Sequence, residues 1–154
     1  MTDPFLFALA LGKTLGMTGL GPGILLMGLY NFREQFTAKI LSGEKQHTIR
    51  RIRAVPDKPG NMLHLYTGLR HKGAKLLMRV SCVKVEEIEI DVDETITIDG
   101  HILSEDECEA LARRDGFRDF LEMCEFWDGR RPFKGHIIHW QFSNPSSGRA
   151  ASHE

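Results

Sequence analysis

Cysteine is scarce in this chain of 154 residues. There are three, Cys82, Cys108 and Cys124, and no two form a Cys-x-x-Cys pair. An odd, widely spaced set argues against a disulfide framework and for a reducing compartment, so a cytoplasmic location is expected. It also withholds the paired thiolates that structural zinc sites use. No glycine run ends in Gly-Lys-Ser/Thr, and no dinucleotide fingerprint stands between a strand and a helix. Neither a metal nor a cofactor is therefore expected. An unbroken membrane span is missing too. Phe5 to Leu29 carries one charge, Lys13, but Gly12, Gly16, Gly19, Gly21, Pro22, Gly23 and Gly28 interrupt it, whereas a span needs ~20 consecutive apolar residues. Asp3, rather than a basic residue, precedes the run, which is not how a signal peptide begins. Residues 1–24 read as an apolar, Gly-rich, poorly ordered extension, or as sequence upstream of a natural start at Met17 or Met27.

What is present fits one globular domain: 42% hydrophobic and 27% charged residues can build a core without staples. The net charge of −1 hides an asymmetry. Arg33 to Arg79 holds eleven Lys/Arg against three acids; Val80 to Asp128 holds four against sixteen. A basic first half can draw a polyanion to one face, although both stretches could equally be solvated surface.

Ile24 to Tyr30 reads as a buried strand. Asn31, with Glu34 three residues on, suits an N-cap, and Phe32, Phe36 and Ile40 then form one apolar helical face closed by Gly43. Glu44 to Arg53 reads as extended, with Ile49 inward. Strands follow at Met62 to Tyr66 and Leu76 to Ile90, joined by a basic turn at Gly68 to Gly73; Met78, Val80 and Cys82 alternate onto one side. Asp99-Gly100 marks a two-residue hairpin. Ser104 and Glu107 form a capping box for a helix through about Arg114, Asp115-Gly116 breaks it, and a second helix runs from Phe117 to Trp127 with Phe117, Phe120, Leu121, Cys124 and Trp127 on one face. Gly135 to Phe142 reads as the last strand, and residues 143–154 as a flexible tail. The pattern predicts an α+β domain over residues 25–142, a small curled β-barrel with flanking helices.

The most informative stretch is Gly43-Glu44-Lys45-Gln46-His47-Thr48-Ile49-Arg50-Arg51. It sets an amine, a hydroxyl and two guanidiniums on one short segment. Arg50 and Arg51 offer planar donors suited to phosphate. Lys45, beside those cations, becomes a usable base if burial lowers its pKa, and Thr48 becomes a nucleophile only if a base takes its proton. A solvated basic strand is the alternative.

The aromatic-rich helix followed by Gly-x-Lys-x-x-Thr-x-Arg resembles the ASCH domain signature. Gly60-x-x-Leu63 leading into Leu65-Tyr66-Thr67-Gly68, Asp115-Gly116-Phe117, and Phe133-Lys134-Gly135-His136-Ile137-Ile138-His139-Trp140 extend the likeness over residues 25–142. The resemblance implies a PUA-like barrel with a cleft beside the Gly-x-Lys segment, and RNA or a modified nucleoside as partner. Some ASCH proteins are amidohydrolases that deacetylate N4-acetylcytidine, and others have been assigned ribonuclease activity. In the amidohydrolase type a Lys, a Thr and a later Glu do the work; matched by position these fall on Lys45, Thr48 and Asp115, the last an Asp where the pattern has Glu.

Arg53, Lys58, Arg70 and Lys72 could track phosphates around such a cleft, and Tyr66 or Trp140 could stack on a base, though a barrel aromatic is more often core. His136 and His139, three apart on a strand, face opposite ways, one packed and one exposed, and cannot share a metal. His47 is either a base contact or a surface residue. The acidic runs Glu86 to Glu94 and Glu105 to Glu109 read as solvated faces.

Overall fold

The computed structural model describes residues 28–141; the readings made for residues 1–24 and 143–154 lie outside them. Seven strands, in chain order, are β1 (Gly28–Phe32), β2 (His47–Arg51), β3 (Met62–Thr67), β4 (Lys75–Ile90), β5 (Ile96–Ile98), β6 (His101–Ile102) and β7 (Phe133–Gln141). Three helices join them: α1 (Thr37–Leu41), α2 (Glu105–Arg114) and α3 (Phe120–Trp127), with a 3-10 turn at Glu34–Phe36 leading into α1. The architecture is α+β, one curled sheet with few helices.

β4 is the spine. Its first half pairs antiparallel with β3, and its second half pairs with β5 on one side and β7 on the other. A ladder sixteen residues long cannot stay flat, and a bulge between Cys82 and Lys84 bends it. That bulge also changes which residues face which way. Before it, Val80 and Cys82 turn into the curl, where Tyr30, Phe32, Leu63, Leu65, Ile138 and Trp140 pack. After it, Ile88 and Ile90 turn to the other face, where α2 and α3 bring Leu111, Ala112, Met123 and Trp127 against Ile96, Ile137 and Phe133. Each Val, Leu, Ile, Phe or Met among them, fully buried, contributes about 1.5–3 kcal/mol.

β1 and β2 are the two ends of the path β1-β3-β4-β7-β2. Between them the link is made by side chains: Arg50 donates from Nη2 to the Asn31 carbonyl (2.8 Å), and Arg53 from Nη2 to the Leu29 carbonyl (2.7 Å). Two guanidiniums thus bridge the seam of the curl. The β2–β7 pairing is unusually close, since a Cβ on Gly135 would sit 2.2 Å from the Arg50 carbonyl oxygen, nearer than any side chain permits.

Several local expectations hold. Asp99 and Gly100 both take positive φ in the β5–β6 hairpin, as a type I′ turn requires, and the Ser104–Glu107 capping box is formed. Ile49 is buried. Others need correction. Asn31 is no N-cap: β1 continues through Phe32, Asn31 Oδ1 accepts from the Leu69 N–H (3.1 Å), and Arg33 opens the helical turn without a side-chain cap. β1 begins at Gly28, with 24–27 outside the described residues. The last helix starts at Phe120 because Asp119 caps it, accepting from the Glu122 N–H (2.9 Å). Leu121, placed on its buried face, is 65% exposed.

Candidate functional site

α1 ends at Leu41, and the chain turns through Gly43 (φ +81) so that Lys45 folds back under the preceding aromatic residues. Its backbone N–H bonds the Lys39 carbonyl (2.9 Å). Its ammonium lies 5.1 Å from the Phe36 ring centroid and 6.0 Å from that of Phe32. From seventy residues later, Asp115 arrives as the C-cap of α2. Lys45 Nζ donates to Asp115 Oδ1 at 2.6 Å and also to the Asp115 backbone carbonyl. The shorter Asp side chain therefore reaches the amine, because its backbone comes close. Gly116 permits that approach. It holds φ at +100, and a Cβ there would lie 2.9 Å from Phe36 Cδ1. Lys39 Nζ clamps the same turn by donating to the Gly116 carbonyl (2.9 Å).

Burial works to raise the Asp115 carboxyl, but the Lys45 ammonium and the His47 imidazole outweigh it and hold it below the usual carboxylate range. Burial pulls Lys45 down from its ordinary value, against the opposing pull of Asp115. The result is a buried ion pair with a weakened grip on the lysine proton.

Thr48 and Arg50 face the other way on β2, into the curl. Thr48 Oγ1 accepts from Arg50 Nε (3.0 Å), and the Arg50 guanidinium sits 5.0 Å from the Phe32 centroid. Burial and then the neighbouring Arg53 lower Arg50 to about 10, so it stays cationic at neutral pH. Phe32 is thus the contact shared by the Lys45–Asp115 pair and the Thr48–Arg50 pair. Arg53 stacks on Tyr30 (4.1 Å) and faces Asp57 (3.4 Å), whose carboxylate also accepts from the Tyr30 hydroxyl.

The remaining sequence candidates are spread out. Arg51 alternates to the opposite face of β2 from Arg50, exposed near Phe133 (5.9 Å), so the two do not form one phosphate clamp. Arg70 and Lys72 are exposed on the β3–β4 turn, which the Leu69–Asn31 bond anchors beside the seam. Tyr66 is half-buried on β3, and Lys58 is exposed on the loop after β2. Trp140 is core. Lys45, Thr48 and Asp115 are 2%, 4% and 6% exposed, so they are covered, not open to solvent. A cavity of about 10 Å³ lies elsewhere, among Ile90, Ile96, Phe120, Met123 and Trp127.

Sequence reasoning missed a second polar group behind the first. His47 on β2 stands opposite His139 on β7, and His139 Nε2 lies 2.6 Å from Glu86 Oε2 on β4. His136 and His139 do face opposite ways, but both are half-buried. Glu86, read as part of a solvated run, is drawn in by its contacts with His139 and Lys84. Burial works to raise Glu86, yet Lys84 and His139 outweigh it and lower it.

Glu86 and Asp115 both have depressed folded-state values. Their contribution to stability is therefore full above the unfolded carboxylate value of about 4 and is lost as pH falls through the lower folded values. Urea unfolding across acid pH is expected to show this decline, shallower in Glu86→Gln; an unchanged profile in that variant would contradict the Glu86 contacts.

Among the described residues no cluster of three His, Cys, Asp or Glu is placed to hold a metal ion, and no helix is long and apolar enough to cross a membrane. Compared with known proteins, the chain matches no family model, no curated protein and no solved structure.

Proposed function

We propose that this chain is an ASCH-type, PUA-like domain that engages RNA, or a nucleoside derived from it, at the seam between β1 and β2. The meeting of Lys45 and Asp115 at 2.6 Å carries the reading. The amidohydrolase type sets a later Glu with the signature Lys, and Asp115, which stands where that pattern has Glu, meets Lys45 across seventy residues of chain. Exposed cations beside the seam support a strand of RNA over a lone nucleoside. Arg70 and Lys72 lie on the turn anchored at Asn31, the residue whose carbonyl Arg50 also holds. RNA meets these exposed groups first and reaches the covered Lys45 only by displacing its neighbours.

Binding of a single-stranded RNA oligomer, followed by fluorescence anisotropy over a salt series, tests this. Arg70→Ala and Lys72→Ala are each expected to weaken binding with a salt slope shallower by about 1, as loss of one phosphate contact requires. An unchanged affinity and slope in both variants would rule the turn out.

The same contact favours a second reading, deacetylation of an N4-acetylcytidine-like nucleoside. Lys45 would take a proton from Thr48 or from water. With water as nucleophile, its oxygen would add to the acetyl carbonyl, the C–N bond would break, the proton would pass to the departing cytosine amine, and acetate would leave. With Thr48 as nucleophile, the same steps would leave an acetyl ester on Thr48, which a water would then hydrolyse to acetate and free threonine. Acetate release from N4-acetylcytidine that Lys45→Ala abolishes is the expected result; no release by the intact chain would remove this reading.

A further inference from the structure

We propose that His47 and His139 form an electrostatically coupled pair that ties the charge of the Lys45–Asp115 site to the Glu86 carboxylate two strands away, so that mild acid changes what the site holds. The inference rests on taking Lys45 and Asp115 as the site.

Three adjacent strands supply the groups. His47 and His139 are directly opposite in the β2–β7 ladder, so both rings lie on one face, with centroids 5.3 Å apart and planes inclined by 62°. Lys84 lies opposite His139 in the β4–β7 ladder, and the bulge at Cys82/Lys84 turns Glu86 onto that face too. Each ring has its own carboxylate. Glu86 Oε2 is 2.6 Å from His139 Nε2, and Asp115 Oδ1 is 3.3 Å from His47 Nε2.

The two ends differ. The Glu86–His139 contact is a hydrogen bond. The Asp115–His47 approach is off the line a hydrogen bond needs, which leaves the buried Nε2 of His47, a residue 3% exposed, without a hydrogen-bond partner. Lys45 already occupies the oxygen that His47 faces. A buried polar atom lacking a partner is costly, and His47 gains one only by competing with Lys45 for Asp115 Oδ1.

Imidazole is the side chain that changes charge between pH 5 and 8. Two of them at this separation cannot both be charged freely, so they load in two steps that belong to the pair. The groups facing them are Glu86 and Lys84 at one end, and Asp115 and Lys45, with Lys39 behind, at the other. Burial lowers the proton affinity of His139, against the pull of Glu86. Once both rings are charged, His47 is a second cation on Asp115. The carboxylate then neutralises less of the Lys45 ammonium, whose backbone bond to Asp115 remains, and the added positive charge favours an incoming anion.

Imidazole ¹H–¹⁵N correlations of the full chain, recorded from pH 8 to pH 5, test this without any ligand. The curves of His47 and His139 should each show two inflections, and Glu86→Gln should shift both. The His136 signal, on the opposite face of β7, should not respond to Glu86→Gln. The Lys45 side-chain Cε resonance should move in the same window as the second inflection. His139→Asn, an alternative should Glu86→Gln unfold, should leave His47 with a single inflection. A single inflection for His47 in the intact chain, or a Lys45 signal unmoved across the window, would overturn the proposal. Because no RNA is present, either result is separate from a failure of RNA binding.

Discussion

Replacing Asp115 with alanine is expected to lower the free energy of unfolding by about 3–5 kcal/mol, the usual cost of stranding one partner of a buried ion pair. Lys45 is 2% exposed and donates twice to Asp115, once to the side chain and once to the backbone. The backbone bond survives the substitution, but the ammonium loses its counter-charge, and the aromatic faces of Phe32 and Phe36 cannot replace it. Lys45→Met alone should cost less, since His47 remains beside the carboxylate. The double variant Lys45→Met/Asp115→Leu should recover most of the loss, because a well-packed apolar pair is often as stable as the ion pair it replaces. Urea denaturation of the four proteins measures these differences. A cost below about 1 kcal/mol for Asp115→Ala, the range of exposed pairs, would mean that the pair is solvated.

Arg50→Ala is expected to cost about 2–3 kcal/mol by the same measurement, of the order of a hydrogen bond to a charged donor together with an unpaired carbonyl. The side chain joins Thr48 to Asn31 and so fastens one end of the curled sheet to the other. Lysine offers one charged point in place of a planar fork, so Arg50→Lys should recover only part of the loss. Amide hydrogen exchange should localise the damage to β1 and β2. An Arg50→Ala protein with native stability and weakened RNA binding would assign Arg50 to the ligand alone and contradict its place in the seam.

That dual position explains what the sequence could and could not disclose. Strands β3, β4 and β7, the basic turn and the capped helix α2 are legible because alternation, turn chemistry and capping are local. The end of β1 was not, because Asn31 and Glu34 offered a capping box, while the pairing of Asn31 and Phe32 with Tyr66 and Thr67 in β3 is a tertiary choice. Lys45 stood out by its cationic neighbours, but Asp115 as its partner could be named only through the ASCH resemblance; spacing says nothing of a contact across seventy residues. Glu86 was hidden for a different reason. In a run of alternating acids every glutamate looks solvated, and only the bulge at Cys82/Lys84, which leaves no signature in composition, decides that Glu86 faces His139. Arg50 and Arg51, adjacent and identical in chemistry, looked like one clamp, yet the two-residue period of a strand sends them to opposite faces.

RNA or its nucleosides are proposed to meet this chain at the seam. Backbone amide and side-chain NMR shifts of the isotope-labelled chain, titrated with a short single-stranded RNA and separately with cytidine, test it most directly. The largest changes are expected at Asn31, Lys45, Thr48, Arg50 and the Gly68–Gly73 turn, with the acidic strand end at Glu89–Glu94 unmoved. Changes confined to the exposed arginines of α2, Arg113 and Arg114, or no changes at all, would contradict it.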